Sequence, residues 1–145
     1  MLRTVIGLAG LLALLTTLPG AALAEVIRIE IPLSGDSQVP PVGTPATGML
    51  AAEFDTDAMT LRWTITYQDL SEPPTAAHFH GPAPLGVNAG VAIGIEGDLT
   101  SPIVGETVLS AAEANDLLGG LYYLNIHTPA FPAGEIRGQV VLSAP

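Results

Sequence analysis

The sequence predicts an all-β fold, an antiparallel Greek-key β-sandwich of seven or eight strands with one short helix near residues 110–118. Three observations predict it. Short segments alternate apolar and polar side chains, the period of a strand with one face in a core. Gly and Pro, 16 and 13 of them, separate these segments at roughly 8–15-residue spacing and read as turns. A single window carries the start and stop signals of a helix.

In chain order, Ile27, Ile29, Ile31 and Leu33 alternate with Arg28, Glu30 and Pro32 and predict a half-buried first strand. The Gly, Pro and Ser of 34–45 predict a loop. Residues 46–55 and 59–68 predict a hairpin turning at Asp55-Thr56-Asp57-Ala58, its second arm with Leu61, Trp63, Ile65 and Tyr67 inward and Thr60, Arg62, Thr64 and Thr66 outward. After Ser71-Glu72-Pro73-Pro74, a strand carries Ala77 and Phe79 towards the core and ends at Gly81-Pro82-Ala83-Pro84. Runs at 91–96 and 103–109 are strand-length and apolar. Ser110 followed by Glu113 forms a capping box, and Gly119 is placed to end the helix. Residues 121–128 return to alternation, with Tyr122, Leu124 and Ile126 on one face and Tyr123, Asn125 and His127 on the other. The segment 135–142 closes the chain as the last strand. No internal repeat or heptad pattern interrupts this series.

Residues 1–24 read as a signal peptide: Arg3 supplies the basic start, 5–18 the apolar stretch and Ala22-Leu23-Ala24 the cleavage site. The apolar stretch is short for a membrane span and no Cys follows it, so the expected product is an exported chain, periplasmic or extracellular, of one domain over 25–145. That part holds three Arg and no Lys against 14 acids, a formal charge of −11. Such a surface repels phosphate backbones and anionic lipid, so neither nucleic acid nor membrane is an expected partner. Without Cys there is no disulfide staple, no thiolate ligand and no blue-copper centre.

The three histidines are the chemically informative residues. In an extended chain His78 and His80 project from the same face about 6.5–7 Å apart while Phe79 points the other way. If the strand bearing His127 pairs beside them, three imidazoles converge as a metal centre with an open position. Neutral imidazole suits copper and zinc, and the affinity order places copper first with zinc as the alternative. Asn125 shares the face of His127 and is a candidate for orienting an imidazole from behind.

Ordered stretches of this chain carry a family resemblance. They are Leu33-Ser34-Gly35, Val39-Pro40-Pro41-Val42 and Ala46-Thr47-Gly48, then Ala76-Ala77-His78-Phe79-His80-Gly81-Pro82-Ala83 and Gly86-Val87-Asn88-Ala89-Gly90. Tyr123-Leu124-Asn125-Ile126-His127-Thr128 and Phe131-Pro132-Ala133-Gly134-Glu135-Ile136-Arg137-Gly138-Gln139 complete them. Together they resemble the CHRD domain, the module repeated in chordin and found alone in many bacterial exported proteins. The resemblance implies an all-β, exported, single-domain protein and does not fix an activity. Chordin's antagonism of growth factors is not carried over, because the cysteine-rich modules that accompany it are missing here. More distantly, His-x-His plus a later His on a Greek-key sandwich is similar to the copper site of copper/zinc superoxide dismutases. The zinc-loop histidines and the disulfide are absent, so that likeness would be to a copper-only centre.

Other constellations are weaker. Met49 and Met59 are expected as core filling, and Glu53, Asp55 and Asp57 as solvated turn acids, with a Ca²⁺ site the lesser reading. Glu135 and Arg137 alternate on one strand, which predicts an ion pair at the surface or closing the fold. Arg137 is also the one cation near the histidines in sequence that could attract an anion. Gly-x-Ser-x-Gly and a phosphate-cradling Gly loop with Lys are both absent. The expected function is therefore binding of one metal ion, copper first, for storage or delivery. An enzyme at the same site, with superoxide-reactive copper or zinc-activated water, and a metal-free adhesion or interaction module are the alternatives.

Overall fold

The structure is a computed structural model, and it describes residues 25–142; the expected signal peptide lies outside the described residues. Eight strands and one helix follow in the order β1 (Val26–Ser34), β2 (Thr47–Asp55), β3 (Thr60–Gln68), β4 (Ala76–His80), β5 (Val91–Gly94), β6 (Ile103–Val108), α1 (Ala111–Leu118), β7 (Tyr122–His127) and β8 (Ile136–Val140). All the pairings are antiparallel, and the strands form one curled sheet in the order β5-β4-β7-β8-β1-β2-β3-β6.

The seam lies between β8 and β1, which share a single bridge, Ser34 with Arg137. There the sheet turns a corner, so that the half β5-β4-β7-β8 faces the half β1-β2-β3-β6 across one apolar core. Trp63 of β3 and Phe79 of β4 meet edge to face across that core, centroids 5.4 Å apart. Gly138 permits the corner. A Cβ there would stand 2.6 Å from the Pro32 carbonyl oxygen, so a larger residue would push β8 off β1.

The period-two segments behave as their alternation requires. Ile29, Ile31 and Leu33 are buried from β1, and Leu61, Trp63 and Ile65 from β3. Thr60 differs from expectation, being buried at the start of β3 with its hydroxyl donating to the Ala58 carbonyl oxygen. Met49 also differs: it is exposed on the outer face of β2 rather than filling the core. The helix forms with both halves of its capping box, Ser110 Oγ accepting from Glu113 N and Glu113 Oε2 accepting from Ser110 N, and buries Ala114 and Leu117. Strands β7 and β8 depart most from the half-buried pattern. Every residue of β8 is buried, and in β7 only His127 is partly open, because loops cover their outer face as well.

Candidate metal centre

Residues of β4 alternate as predicted: Ala77 and Phe79 are fully buried in the core, and His78 and His80 stand on the opposite face. The antiparallel register with β7 sets Ala76 beside His127, His78 beside Asn125 and His80 beside Tyr123. His127 is therefore the diagonal neighbour of His78 on that same face, within reach of a ring. The three rings cluster with centroids 5.5 Å (78 to 80), 5.0 Å (78 to 127) and 5.8 Å (80 to 127) apart. One ligand nitrogen from each falls within 4.8 Å of the others.

Hydrogen bonds decide which nitrogens face inward. His80 Nδ1 lies 3.0 Å from the Ala89 carbonyl oxygen, and His127 Nδ1 lies 3.0 Å from that of Pro132. A carbonyl only accepts, so each Nδ1 carries the hydrogen and each neutral ring keeps its lone pair on Nε2. This is how histidines that bind metals are commonly oriented, by a backbone carbonyl behind the ring. His80 Nε2 is buried and has no hydrogen-bond partner, an uncommon state for such an atom. His127 Nε2 sits 3.2 Å from His78 Nδ1, and the two rings share one hydrogen. Ligands about 2.0–2.1 Å from a tetrahedral ion stand about 3.3 Å apart. The 78/127 pair already matches that spacing, and the donor set fits a borderline-soft divalent ion or Cu⁺.

Electrostatics favour the neutral form of two of the donors. Burial, and then the neighbouring His127, lowers the proton affinity of His78 below the ordinary 6.5, against an opposing pull from Glu96. His80 is likewise lowered, first by burial; its bond to Ala89 opposes that, and His127 and His78 add to it.

Around the triad lies a buried polar layer that the sequence did not reveal. Tyr123 stacks on His80, centroids 4.9 Å apart and planes 3° from parallel, and the Arg137 guanidinium carbon lies 3.4 Å from the Tyr123 ring centre. Arg137 is buried, donating to Asn88 Oδ1 at 2.8 Å and to the Val87 carbonyl oxygen at 2.9 Å. The expected ion pair with Glu135 does not form, and Arg137 is not a free cation beside the histidines. Glu135 is instead buried among hydroxyls from Thr44, Ser71 and Thr128. Asn125 makes no hydrogen bond to an imidazole. Its Oδ1 accepts from Gln38 Nε2 at 2.8 Å, and its Nδ2 donates to the Ala133 carbonyl oxygen at 3.1 Å. Ala133 follows Pro132, whose carbonyl holds His127, so Asn125 bears on the triad through that loop.

The acidic hairpin tip is occupied with local work. Glu53 pairs with Arg28 at 3.2 Å, and Asp55 Oδ1 accepts from the Asp57 and Ala58 amides. Among the described residues these acids do not converge at metal spacing.

Fold and site together define an all-β module bearing a histidine triad at metal-ligand spacing on the outer face of one half-sheet. The family is a closer matter: the family model of the CHRD domain matches residues 29–140, from β1 to the end of β8, and the chain belongs to that family. CHRD domains occur in extracellular or secreted proteins. No curated protein and no solved structure matches the chain. Among the described residues no helix is long and apolar enough to cross a membrane.

Proposed function

We propose that this CHRD-domain protein is exported and binds one metal ion, copper in preference to zinc, through His78, His80 and His127, for copper binding, storage or delivery. The observation that carries the reading is the buried, unpartnered Nε2 of His80 in a cluster where one nitrogen from each of three rings lies within 4.8 Å of the others. Leaving such an atom without a partner is unfavourable, and a ligand-metal bond relieves it. Copper is preferred because a neutral nitrogen site follows the affinity order that peaks at Cu²⁺.

Handling is favoured over turnover by the state of the cations. A superoxide-reactive centre gains rate from a positive group that guides the anion. Arg137 is buried against Tyr123, while Arg28 and Arg62 pair with Glu53 and Glu106 on the other half-sheet.

Titration of the metal-free protein with Cu²⁺ and Zn²⁺ tests the reading, followed by calorimetry and melting, with the His78→Ala/His80→Ala double variant as control. One equivalent of Cu²⁺ is expected to bind and, at a hundredfold excess over Kd, to stabilise by about 2.7 kcal/mol, raising Tm by about 10 °C. The control should lose both effects. Binding that persists in the control, or none in the wild type, would overturn the proposal and favour a metal-free interaction module.

A further inference from the structure

We infer that the outer face of β1-β2-β3-β6 is a docking surface for a second copy of this chain, related by a two-fold axis that lies between the two faces and runs parallel to the strands. The registers set Arg28 beside Glu53, Glu53 beside Arg62 and Arg62 beside Glu106. The four side chains form one row across four strands, with charges alternating plus, minus, plus, minus. Within the row Arg28 Nε meets Glu53 Oε1 at 3.2 Å and Arg62 Nε meets Glu106 Oε2 at 2.8 Å. All four remain more than half exposed, so these pairs add little to the stability of one chain. Yet the row holds both exposed arginines of the described residues in a strongly acidic protein.

The symmetry of the row selects its partner. Rotation by 180° about an axis parallel to the strands keeps a row at its own height and reverses the order of strands, so β1 faces β6 of the second copy and β2 faces β3. Arg28 then faces Glu106 and Glu53 faces Arg62, so every charge of the row meets its opposite, twice over, while in the next row Glu30 faces Val104. A two-fold running along the row would instead set each charge against itself. In the row above, Val26 would face Val108, two valines that are both exposed in the single chain. Val104 and Met49 add further exposed apolar surface to this same face.

Shape agrees with charge. A twisted sheet is a saddle, and rotation about an in-plane axis parallel to its strands maps the saddle onto itself. The convex diagonal of one copy therefore enters the concave diagonal of the other. The same face holds a trough of about 620 Å³ that crosses the four strands and is lined by Ala51, Thr64 and Gly105 between the charged residues. Strands about 4.8 Å apart and same-face rows about 6.8 Å apart give a footprint of about 500 Å² per copy. A long-lived interface needs about 800 Å² per copy, so the dimer exchanges rapidly.

The test is charge reversal followed by recombination, read by sedimentation velocity of the purified protein over concentrations up to about 1 mM, the weak end of specific association. Wild type is expected to show a concentration-dependent rise towards the dimer. Glu53→Arg and Arg62→Glu each create two like-charge contacts per dimer and should each weaken association at least about tenfold. Mixed together they oppose correctly at all four positions, and the mixture should recover association that neither variant has alone. Circular dichroism checks that each variant is folded, and Arg28→Glu with Glu106→Arg is a second pair with the same logic should either of the first fail. A wild type that stays monomeric throughout, single reversals that dimerise like wild type, or a folded mixture that stays monomeric would each overturn the inference.

Discussion

Replacing Glu135 should separate the contribution of a buried charge from that of its shape. The carboxylate is fully buried where three loops meet. Oε1 accepts from Thr44 Oγ1 at 2.7 Å and Ser71 N at 3.0 Å, and Oε2 accepts from Ser71 Oγ at 2.8 Å and Thr128 Oγ1 at 2.7 Å. Hydrogen bonds to a charged group contribute about 1.5–3 kcal/mol each, and orphaning a buried donor costs about 1–3 kcal/mol. Hydroxyls can turn to other acceptors, but the Ser71 amide cannot, so Glu135→Ala should cost about 3–5 kcal/mol. Glu135→Gln keeps one oxygen for Thr44 and Ser71 N, while its amide nitrogen can donate to the Ser71 and Thr128 hydroxyl oxygens. It loses only the charge assistance, about 1–2 kcal/mol.

Urea unfolding at pH 7 reads both, as a shift in midpoint at unchanged slope. Acid gives a second reading. Burial pushes the Glu135 carboxyl up, but the hydrogen bonds from Thr44, Thr128 and Ser71 outweigh it and hold the group below its ordinary 4.5. The unfolded chain then takes the proton first, so this stability is full above about pH 5 and is lost as pH falls through 4.5 towards the lower folded value. Glu135→Gln should lack that component of the acid response. A Glu135→Ala protein within about 1 kcal/mol of wild type, or a Gln variant as damaged as the Ala variant, would refute the reasoning.

Two further outcomes follow from the triad and its supports. Gly134 has φ +122°, and an added Cβ would overlap the Asn125 amide, so Gly134→Ala should cost about 2–4 kcal/mol and also weaken Cu²⁺ binding by shifting the Pro132 carbonyl behind His127; a melt together with a titration checks it. Because His78 and His80 are held below 6.5, proton competition at these two rings should set in only below that value, and an NMR titration of the metal-free protein in which either ring takes its proton at or above 6.5 would contradict it. The metal-free protein has the linked sign: its unfolded state binds protons first, so these two residues withdraw stability as pH falls through 6.5.

How far the sequence could be read depends on how far each feature reaches along the chain. The His78/His80 pair was legible because a period of two is a local property and Phe79 between them is unmistakably core. His127 could be placed on the correct face of its own strand, but only the β4/β7 register makes it the diagonal neighbour of His78. The capping box of α1 was legible for the same local reason.

What escaped the reading is the second buried face of β7 and β8. Arg137, Gln139, Asn125 and Tyr123 look like the solvent side of two half-buried strands, since alternation reports the side chain's polarity and not what lies above it. In the fold the 81–90 loop and Gln38 come down onto that side. Val87, Asn88 and Ala89 meet Arg137, Tyr123 and His80, and Gln38 reaches Asn125 from 87 residues away. A Gly- and Pro-rich loop gives no periodicity from which such a landing site could be read. The misassigned Glu135/Arg137 pair has this same origin. Two opposite charges two residues apart suggest each other, whereas loops distant in sequence supply Glu135 with hydroxyls and Arg137 with an amide oxygen and a carbonyl, and the neighbouring strand β7 supplies the aromatic face. The histidines are thus anchored from behind by a layer whose polar groups are satisfied, while the buried His80 Nε2 beside it is left without a partner. Trp63 Nε1 in the core shares that unpartnered state, so it is the coincidence of the unpartnered His80 Nε2 with the cluster of three imidazoles that supports the proposed ligand.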